Sequence, residues 1–233
     1  MVRGARSEPL LLPSASRVET LSRQTYAIIR SSIRSGTITA DGFYSEVQLA
    51  QALHISRTPV REALIELERE GLIEIIPQRG FRLRSISEAE HQEAFELRSL
   101  IEGNVVRQLA KVATDDDVTT LRDILDAQAR VVDDPAAFLD ANEEFHLTMP
   151  ALLGLERTRR ILLTLRGITW LAAHDAISHP PQRAEEVLAE HRAIVDRIAA
   201  HDPAGAAKAL RTHITLRRRA VSSRQREESA AGE

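Results

Sequence analysis

The chain of 233 residues contains no cysteine, which removes disulfides, thiolate nucleophiles and sulfur-ligated zinc together. His, Asp, Glu and Asn are left as the side chains able to hold a metal ion. Long apolar runs are missing as well: stretches such as Ile161-Leu162-Leu163 fall far short of the ~18 residues a bilayer span requires, so no membrane association is expected. Residues 1–13 hold Arg3, Arg6 and the triplet Leu10-Leu11-Leu12, whereas a secretory signal needs an apolar core of at least ~7 residues. Residues 1–16 therefore read as a disordered tail, and the expected compartment is the cytoplasm. Lysine is nearly absent, since all but two of the 31 basic residues are Arg. Arginine suits bidentate contact with phosphate and guanine, although a GC-rich coding bias gives the same count.

What is present is a globular composition, 43% apolar, in a chain long enough for one large domain or two modest ones. The net charge of −3 hides an asymmetry. Residues 1–86 carry 12 Arg against 9 acidic residues, and residues 87–233 carry 19 basic against 25 acidic. The two parts have different electrostatic tasks.

Apolar Val18, Leu21, Ala27, Ile28 and Ile33 predict a helix to Arg34, ended by Ser35-Gly36. Residues 46–53 form a short amphipathic helix, and a second runs from Arg57 to Glu70 with Val60, Leu64 and Leu67 on one face. After Gly71, the segments 72–76 and 81–84 read as strands, with Pro77-Gln78-Arg79-Gly80 as the turn of a hairpin. Three helices and a hairpin are the layout of a winged helix-turn-helix. Ser87-Glu88-Ala89-Glu90 predicts a reciprocal capping box opening a new helix. About six amphipathic helices follow, near 88–112, 116–132, 135–152, 155–178, 183–200 and 203–226, with no strand pattern and no repeat of fixed period. The tail from Ser222 is polar and expected to fray. The expected fold is mainly α: a tail over 1–16, a winged helix-turn-helix over 17–86 and an all-α domain over 87–226. Asp115-Asp116-Asp117 lacks the glycine and distal Glu of a calcium loop and is expected to cap the next helix.

The sharpest local signal is Ser56-Arg57-Thr58-Pro59-Val60-Arg61-Glu62-Ala63-Leu64. Pro59 fits a first helical turn, while Arg57 and Arg61 lie one turn apart on the same face. That face can enter a major groove, the arginines pairing with guanine O6 and N7 and Ser56 and Thr58 with phosphates. Gln78, Arg79 and Gly80 place a cation and a flexible backbone at a tip able to reach the minor groove. Taken alone, the arginines are better read as surface partners of Glu62, Glu66 or Glu68 on an ordinary exposed helix. Together with Leu49-Ala50 and Gly71-Leu72-Ile73, however, the stretch 17–84 resembles the DNA-binding domain of the GntR family of bacterial transcription regulators. Asp41-Gly42-Phe43-Tyr44 departs from that family's usual Pro-Gly and leucine, and Val47 stands where some members place a further DNA-contacting arginine.

In the helical part, four polar residues sit on apolar stripes. Asn142 and His146 share a face with Phe138, Met149 and Leu153; His191 lies among Leu188, Ile194, Val195 and Ile198; His213 shares its face with Leu210 and Ile214. A buried imidazole must either hydrogen-bond or bind metal, and a sulfur-free N/O set suits Zn²⁺, Ni²⁺ or Mn²⁺. The motifs around these residues, with Glu96-Leu97-Arg98-Ser99-Leu100-Ile101-Glu102, resemble over 88–220 the effector domain of the FadR-like branch of the same family, called FCD. That resemblance implies a divalent metal, Zn²⁺ first among the candidates, on Asn142, His146, His191 and His213. It implies further that the metal binds the carboxylate of a small organic acid, with Arg98 facing the acid. Asn142 stands where Asp is common, and Arg98 is alternatively an ion-pair partner of Glu102 at i+4. Trp170 and His174 share a face, but Trp170, His174, Asp175 and His179 are not taken as site residues; His54, His91 and His201 read as solvated.

The function expected is a dimeric repressor that binds a double-stranded operator under control of a small acid, and not an enzyme. The alternative of a metal-dependent enzyme with an appended DNA-binding domain, its three histidines activating water, has no accompanying base or nucleophile, and a catalytic role leaves 56–64 unexplained. An architectural DNA-binding protein leaves the buried polar set unexplained, while a regulator with a metal-free pocket stays open as the alternative.

Overall fold

The computed structural model describes residues 20–171 and 181–216. The tail over 1–16, His174, Asp175, His179 and the polar segment from Ser222 lie outside the described residues.

Helix α1 (Leu21–Arg34) is capped by Thr20, whose hydroxyl accepts from Arg23 N–H. Its buried face is Thr25, Ile29 and Ile33, while Leu21 and Ile28 are 50% and 47% exposed. Of the expected apolar face, Ile33 is buried as read, Leu21, Ala27 and Ile28 are exposed, and Val18 lies outside the described residues. Thr25 can join the buried face because its hydroxyl bonds to the Leu21 carbonyl at 2.7 Å, a bond open to Thr in a helix. Helix α2 (Glu46–Ala52) opens with a reciprocal capping box between Ser45 and Gln48. Helix α3 (Arg57–Arg69) buries the predicted Val60, Leu64 and Leu67 together with Ala63.

Strands β1 (Ile73–Ile76) and β2 (Gly80–Leu83) pair antiparallel, Ile73 opposite Leu83 and Ile76 opposite Gly80. Gly80 is therefore the first residue of a strand and not part of the turn. The turn shrinks to 77–79, with Gln78 in the left-handed region and Arg79 N–H closing onto the Ile76 carbonyl. A rung unseen in the sequence extends this wing: Tyr44 and Phe81 exchange both backbone hydrogen bonds, at 2.9 and 2.8 Å. Gly80 permits it, since a Cβ there would lie 2.1 Å from the Tyr44 carbonyl oxygen.

From residue 87 onward the described chain is helical: α4 (Glu88–Val112), α5 (Asp115–Arg130), α6 (Pro135–Leu152), α7 (Glu156–Leu171), α8 (Pro181–Ala199) and α9 over 203–216. Ser87 caps α4 through Glu90 N–H, but the Glu90 carboxylate takes Arg84 as its partner and does not return to the Ser87 backbone. Only half of the expected box forms, because a guanidinium is a stronger partner for a carboxylate than an exposed amide. At α5 the box is complete, between Thr114 and Asp117, so the aspartate run does cap a helix.

A core of Phe95, Val106, Leu109, Leu121, Leu125, Phe145, Met149, Ile194, Ile198 and Leu210 joins α4, α5, α6, α8 and α9. The N-terminal core does not close on itself. Leu139 of α6 and Trp170 and Leu171 of α7 complete it, and Gly167 lets α7 approach so closely that a Cβ would meet Leu72 Cδ2 at 3.0 Å and the Glu70 carbonyl at 3.2 Å. Trp170 thus packs against the N-terminal core, with the Arg34 guanidinium 5.9 Å over its ring. No helix among the described residues is long and apolar enough to cross a membrane.

Candidate metal centre and nucleic-acid interface

His146 of α6, His191 of α8 and His213 of α9 converge from three helices, each no more than 1% exposed, with ring nitrogens within 4.8 Å of one another. Each Nδ1 faces a partner on another part of the bundle. His146 Nδ1 lies 2.6 Å from Glu102, His191 Nδ1 3.0 Å from the Gln128 side-chain oxygen, and His213 Nδ1 2.6 Å from Glu190. With Nδ1–H donated to an oxygen, the tautomer is fixed and Nε2 carries the lone pair, which is how histidine is presented to a metal. Phe145 stacks on His191 at 4.4 Å and fixes that ring's plane.

Among the described residues, Nε2 of His146 and Oδ1 of Asn142, one turn apart on a face of α6, are buried without a hydrogen-bond partner. Such atoms are costly inside a protein unless something binds them. The donor set, three imidazoles and an amide oxygen, is that of a borderline divalent cation. Burial and the nearby Arg166 charge push the His146 pKa well below its ordinary value, keeping the ring neutral. Burial raises the Glu102 pKa, but Arg98, His146 and Arg166 outweigh it and hold the carboxyl well below the usual range.

Arg98 is 1% exposed and donates Nε–H to Glu102 at 2.8 Å and Nη1–H to Thr169 at 3.1 Å. The i+4 pair with Glu102 exists, but in the interior and not at the surface. Arg166, absent from the sequence reading, lies 3.7 Å from Glu102 and donates to the Asn142 carbonyl at 3.3 Å. Its only sequence sign is a charge beside Leu162 and Leu165 on the buried face of α7; Gln128 likewise continues the face of Leu121 and Leu125. His91 departs from expectation, being 1% exposed and edge-on to Phe95 at 4.8 Å, because Ala94 and Phe95 carry that face of α4 inward. His201, exposed at the turn after α8, faces the Ala110 carbonyl at 3.1 Å through Nδ1 and ties the turn to α4. His54 is exposed in the turn between α2 and α3, as expected.

The second constellation faces outward. Ser56 is the N-cap of α3 but makes no capping bond with its side chain, and Ser56 and Thr58 are both exposed. Arg57 and Arg61 project with side chains 64% and 70% exposed, and both lean on Glu46 of α2, at 3.0 and 3.8 Å, not on Glu62, Glu66 or Glu68. Together with Gln78, Arg79 and Gly80 of the wing they line one concave surface.

Between the constellations lies an ionic cluster. Tyr26 donates to Glu70 at 2.7 Å, Arg30 to Glu143 at 2.6 Å, and Arg34 to Glu143 at 3.0 Å and to Asp140. Burial raises the Glu143 pKa, but Arg30, Arg34 and Arg166 outweigh it and hold the carboxyl below its ordinary value. Glu143 neighbours Asn142 on α6, so one helix serves both the histidine centre and the seat of α1.

Two family models match the chain: bacterial regulatory proteins of the gntR family over residues 21–83, and the FCD domain over residues 93–216. Similar sequences include the Nta operon transcriptional regulator of Aminobacter aminovorans, 36% identical over 54% of this chain; the match spans 59% of that regulator. An uncharacterised HTH-type transcriptional regulator of Agrobacterium vitis is 30% identical over 62% of this chain and 89% of its own length. The HTH-type transcriptional repressor RspR of Escherichia coli is 26% identical over 84% of this chain and 86% of its own length. Among solved structures, Escherichia coli McbR/YncC superposes with a TM-score of 0.79 at 18% identity, covering 89% of this chain and all of that one. A GntR regulator from Rhodococcus gives 0.72 at 21% identity, covering 87% of this chain and 97% of its own. The structural likenesses show a common fold, and the sequence relatives are transcription regulators and not enzymes.

Proposed function

The chain belongs to the GntR family of bacterial regulatory proteins, in the group that carries an FCD domain, and from that premise we propose that it is a cytoplasmic repressor whose operator affinity is set by a small organic acid. The DNA-reading head is residues 17–86 and the effector-binding, dimerising domain residues 87–226. Arg57 and Arg61 read bases, Ser56 and Thr58 hold phosphates, and Gln78, Arg79 and Gly80 anchor the wing. The observation that carries the reading is the convergence of three buried histidines from α6, α8 and α9 within 4.8 Å, each with Nδ1 against an oxygen. His146, His191 and His213 with Asn142 would hold a divalent ion, Zn²⁺ before Ni²⁺ or Mn²⁺. When bound, the ion supplies a Lewis-acid anchor for a carboxylate. Arg98, fixed by Glu102 and Thr169, supplies the complementary cation. A hydroxy- or keto-acid fits, since it offers two oxygens to one ion.

The test is a thermal-shift panel of small carboxylic acids on metal-loaded protein, with and without chelator, followed by titration of the active acid against protein bound to duplex DNA. A response abolished by chelator and by His191→Ala, with DNA binding retained, is the expected result. A response that survives both returns the histidines to a structural role. The DNA assignment is checked separately: Arg61→Ala should cost about 1–3 kcal/mol of specific binding and relax preference at one base position. Unchanged affinity and selectivity in that variant would remove Arg61 from the reading face.

A further inference from the structure

On the face assigned to DNA, the side chain that needs explaining is the carboxylate of Glu46. A surface ion pair adds little to stability, and a negative charge beside phosphates weakens binding. Yet Glu46 is built in with care. Its backbone follows Ser45, held by the reciprocal bonds with Gln48 at 3.1 Å, and Tyr44, held to Phe81 of the wing by two hydrogen bonds. The close passage of Tyr44 over Gly80 leaves no room for a Cβ at that position. Glu46 is thus fixed from α2 and from the wing at once, between the wing and α3.

Its side chain is 17% exposed, against 64% for Arg57 and 70% for Arg61. The carboxylate lines the same concave surface as the two guanidinium groups but is far less exposed. One oxygen accepts from Arg57 Nη2 at 3.0 Å and the other lies 3.8 Å from Arg61 Nε. Glu46 therefore presents far less surface to a duplex than either arginine. What it does is restrict two long, rotamer-rich side chains before DNA arrives, which lowers the ordering cost of a defined bidentate contact. At the same time it cancels part of the charge that drives sequence-independent binding.

We infer that Glu46 is a positioning residue for base recognition: it pre-orders Arg57 and Arg61 and suppresses binding to non-cognate duplex, so that it raises selectivity at the expense of bulk affinity. This rests on the reading of α3 as the DNA-reading helix.

The experiment uses the full chain and a randomised duplex pool. Wild type selects a motif, and affinities for the best selected duplex and for a scrambled one of the same composition are then measured across a salt series for wild type, Glu46→Gln and Glu46→Asp. Thermal melting monitors folding in all three. The expected result for Glu46→Gln is an unchanged melting temperature, tighter binding to the scrambled duplex, no gain on the selected one, and a specificity ratio lowered by about five-fold or more. Its selected motif flattens at the positions that Arg57→Ala and Arg61→Ala also flatten. Glu46→Asp, which keeps the charge on a shorter stem, recovers the low scrambled-duplex affinity but not the full motif. Equal gains on both duplexes, or an unchanged ratio and motif, overturn the inference, because charge alone would then account for Glu46. Should wild type select no motif, the DNA-reading assignment of α3 falls, and this inference falls with it.

Discussion

Single side chains in the histidine centre divide into those that would touch an ion and those that orient them, and the two kinds predict different phenotypes. His213 of α9 is held by Glu190 of α8 at 2.6 Å, and Glu190 is in turn held by Arg183 at 2.8 Å. Glu190 reaches the surface, its side chain 15% exposed, so changing it does not strand a charge in the core. Glu190→Gln should weaken divalent-metal binding by about 10–100-fold while leaving the metal-free melting temperature nearly unchanged. His213→Ala should abolish it. Metal at 100-fold over its Kd stabilises the folded state by about 2.7 kcal/mol, a rise of about 5–10 °C for a chain of this size. That rise should be full in wild type, reduced in Glu190→Gln and absent in His213→Ala. Equal metal-induced shifts in wild type and His213→Ala would show that the ion binds elsewhere. Glu102 is the less suitable probe, since its removal would leave Arg98 and Arg166 buried without their carboxylate, a loss of about 3–5 kcal/mol.

At the scale of elements, the wing shows how a local backbone requirement controls a functional surface. Gly80 has φ of +131° and faces the Tyr44 carbonyl, where a Cβ would sit at 2.1 Å. Gly80→Ala must therefore either break the Tyr44–Phe81 rung or displace β2. We expect about 1–3 kcal/mol of destabilisation and a loss of DNA affinity larger than that of Arg79→Ala, because the whole tip moves. A variant with unaltered melting temperature and DNA affinity would mean that the close passage does not hold in solution. This rung also marks where sequence reading stops. The alternation in Phe81-Arg82-Leu83 and the run 72–76 announce a hairpin, since both lie within a few residues. The pairing of Tyr44 with Phe81 joins positions 37 residues apart with no periodicity to betray it, and Gly80 signals a turn but not the strand that passes over it. The same division runs through the histidine centre. His146, His191 and His213 stand out because each interrupts an apolar stripe. Arg166 and Gln128 do so as well, yet long polar side chains on helices so often reach solvent that only packing reveals them as buried. On α1 the apolar pattern finds Ile33 but not the rest of the buried face, because Thr25, polar in sequence, offsets its burial with a hydrogen bond to its own helix.

On the scale of the molecule, one winged helix reads few base pairs, so a two-fold dimer supplying a second half-site is expected. Sedimentation of DNA-free protein should give ~52 kDa, twice the 25.9 kDa chain, and a monomer at micromolar concentration would exclude that arrangement. Within each chain, control of DNA binding requires that the histidine centre and the head share an element with two arrangements, and α6 is one that supplies both centre residues and ion pairs to the head. It carries Asn142 and His146 toward the bundle, and Glu143 and Asp140 toward Arg30 and Arg34 of α1. Arg166 ties the Asn142 carbonyl to the Glu102 carboxylate that holds His146. A small displacement of α6 as ligand closes the histidine centre would therefore carry the seat of α1 with it. Because coupling is reciprocal, the factor by which the acid changes operator affinity must equal the factor by which operator changes acid affinity, about 5–150-fold for a coupling of about 1–3 kcal/mol. Glu143→Gln removes the charge shared by Arg30 and Arg34 without touching a histidine. It should lower stability by about 3 kcal/mol, retain metal and acid binding in the absence of DNA, and bring both coupling factors toward one. If the two factors stay equal and undiminished in Glu143→Gln, the signal does not pass through this ionic cluster, and the apolar contact of Leu139, Trp170 and Leu171 with the head becomes the route to test.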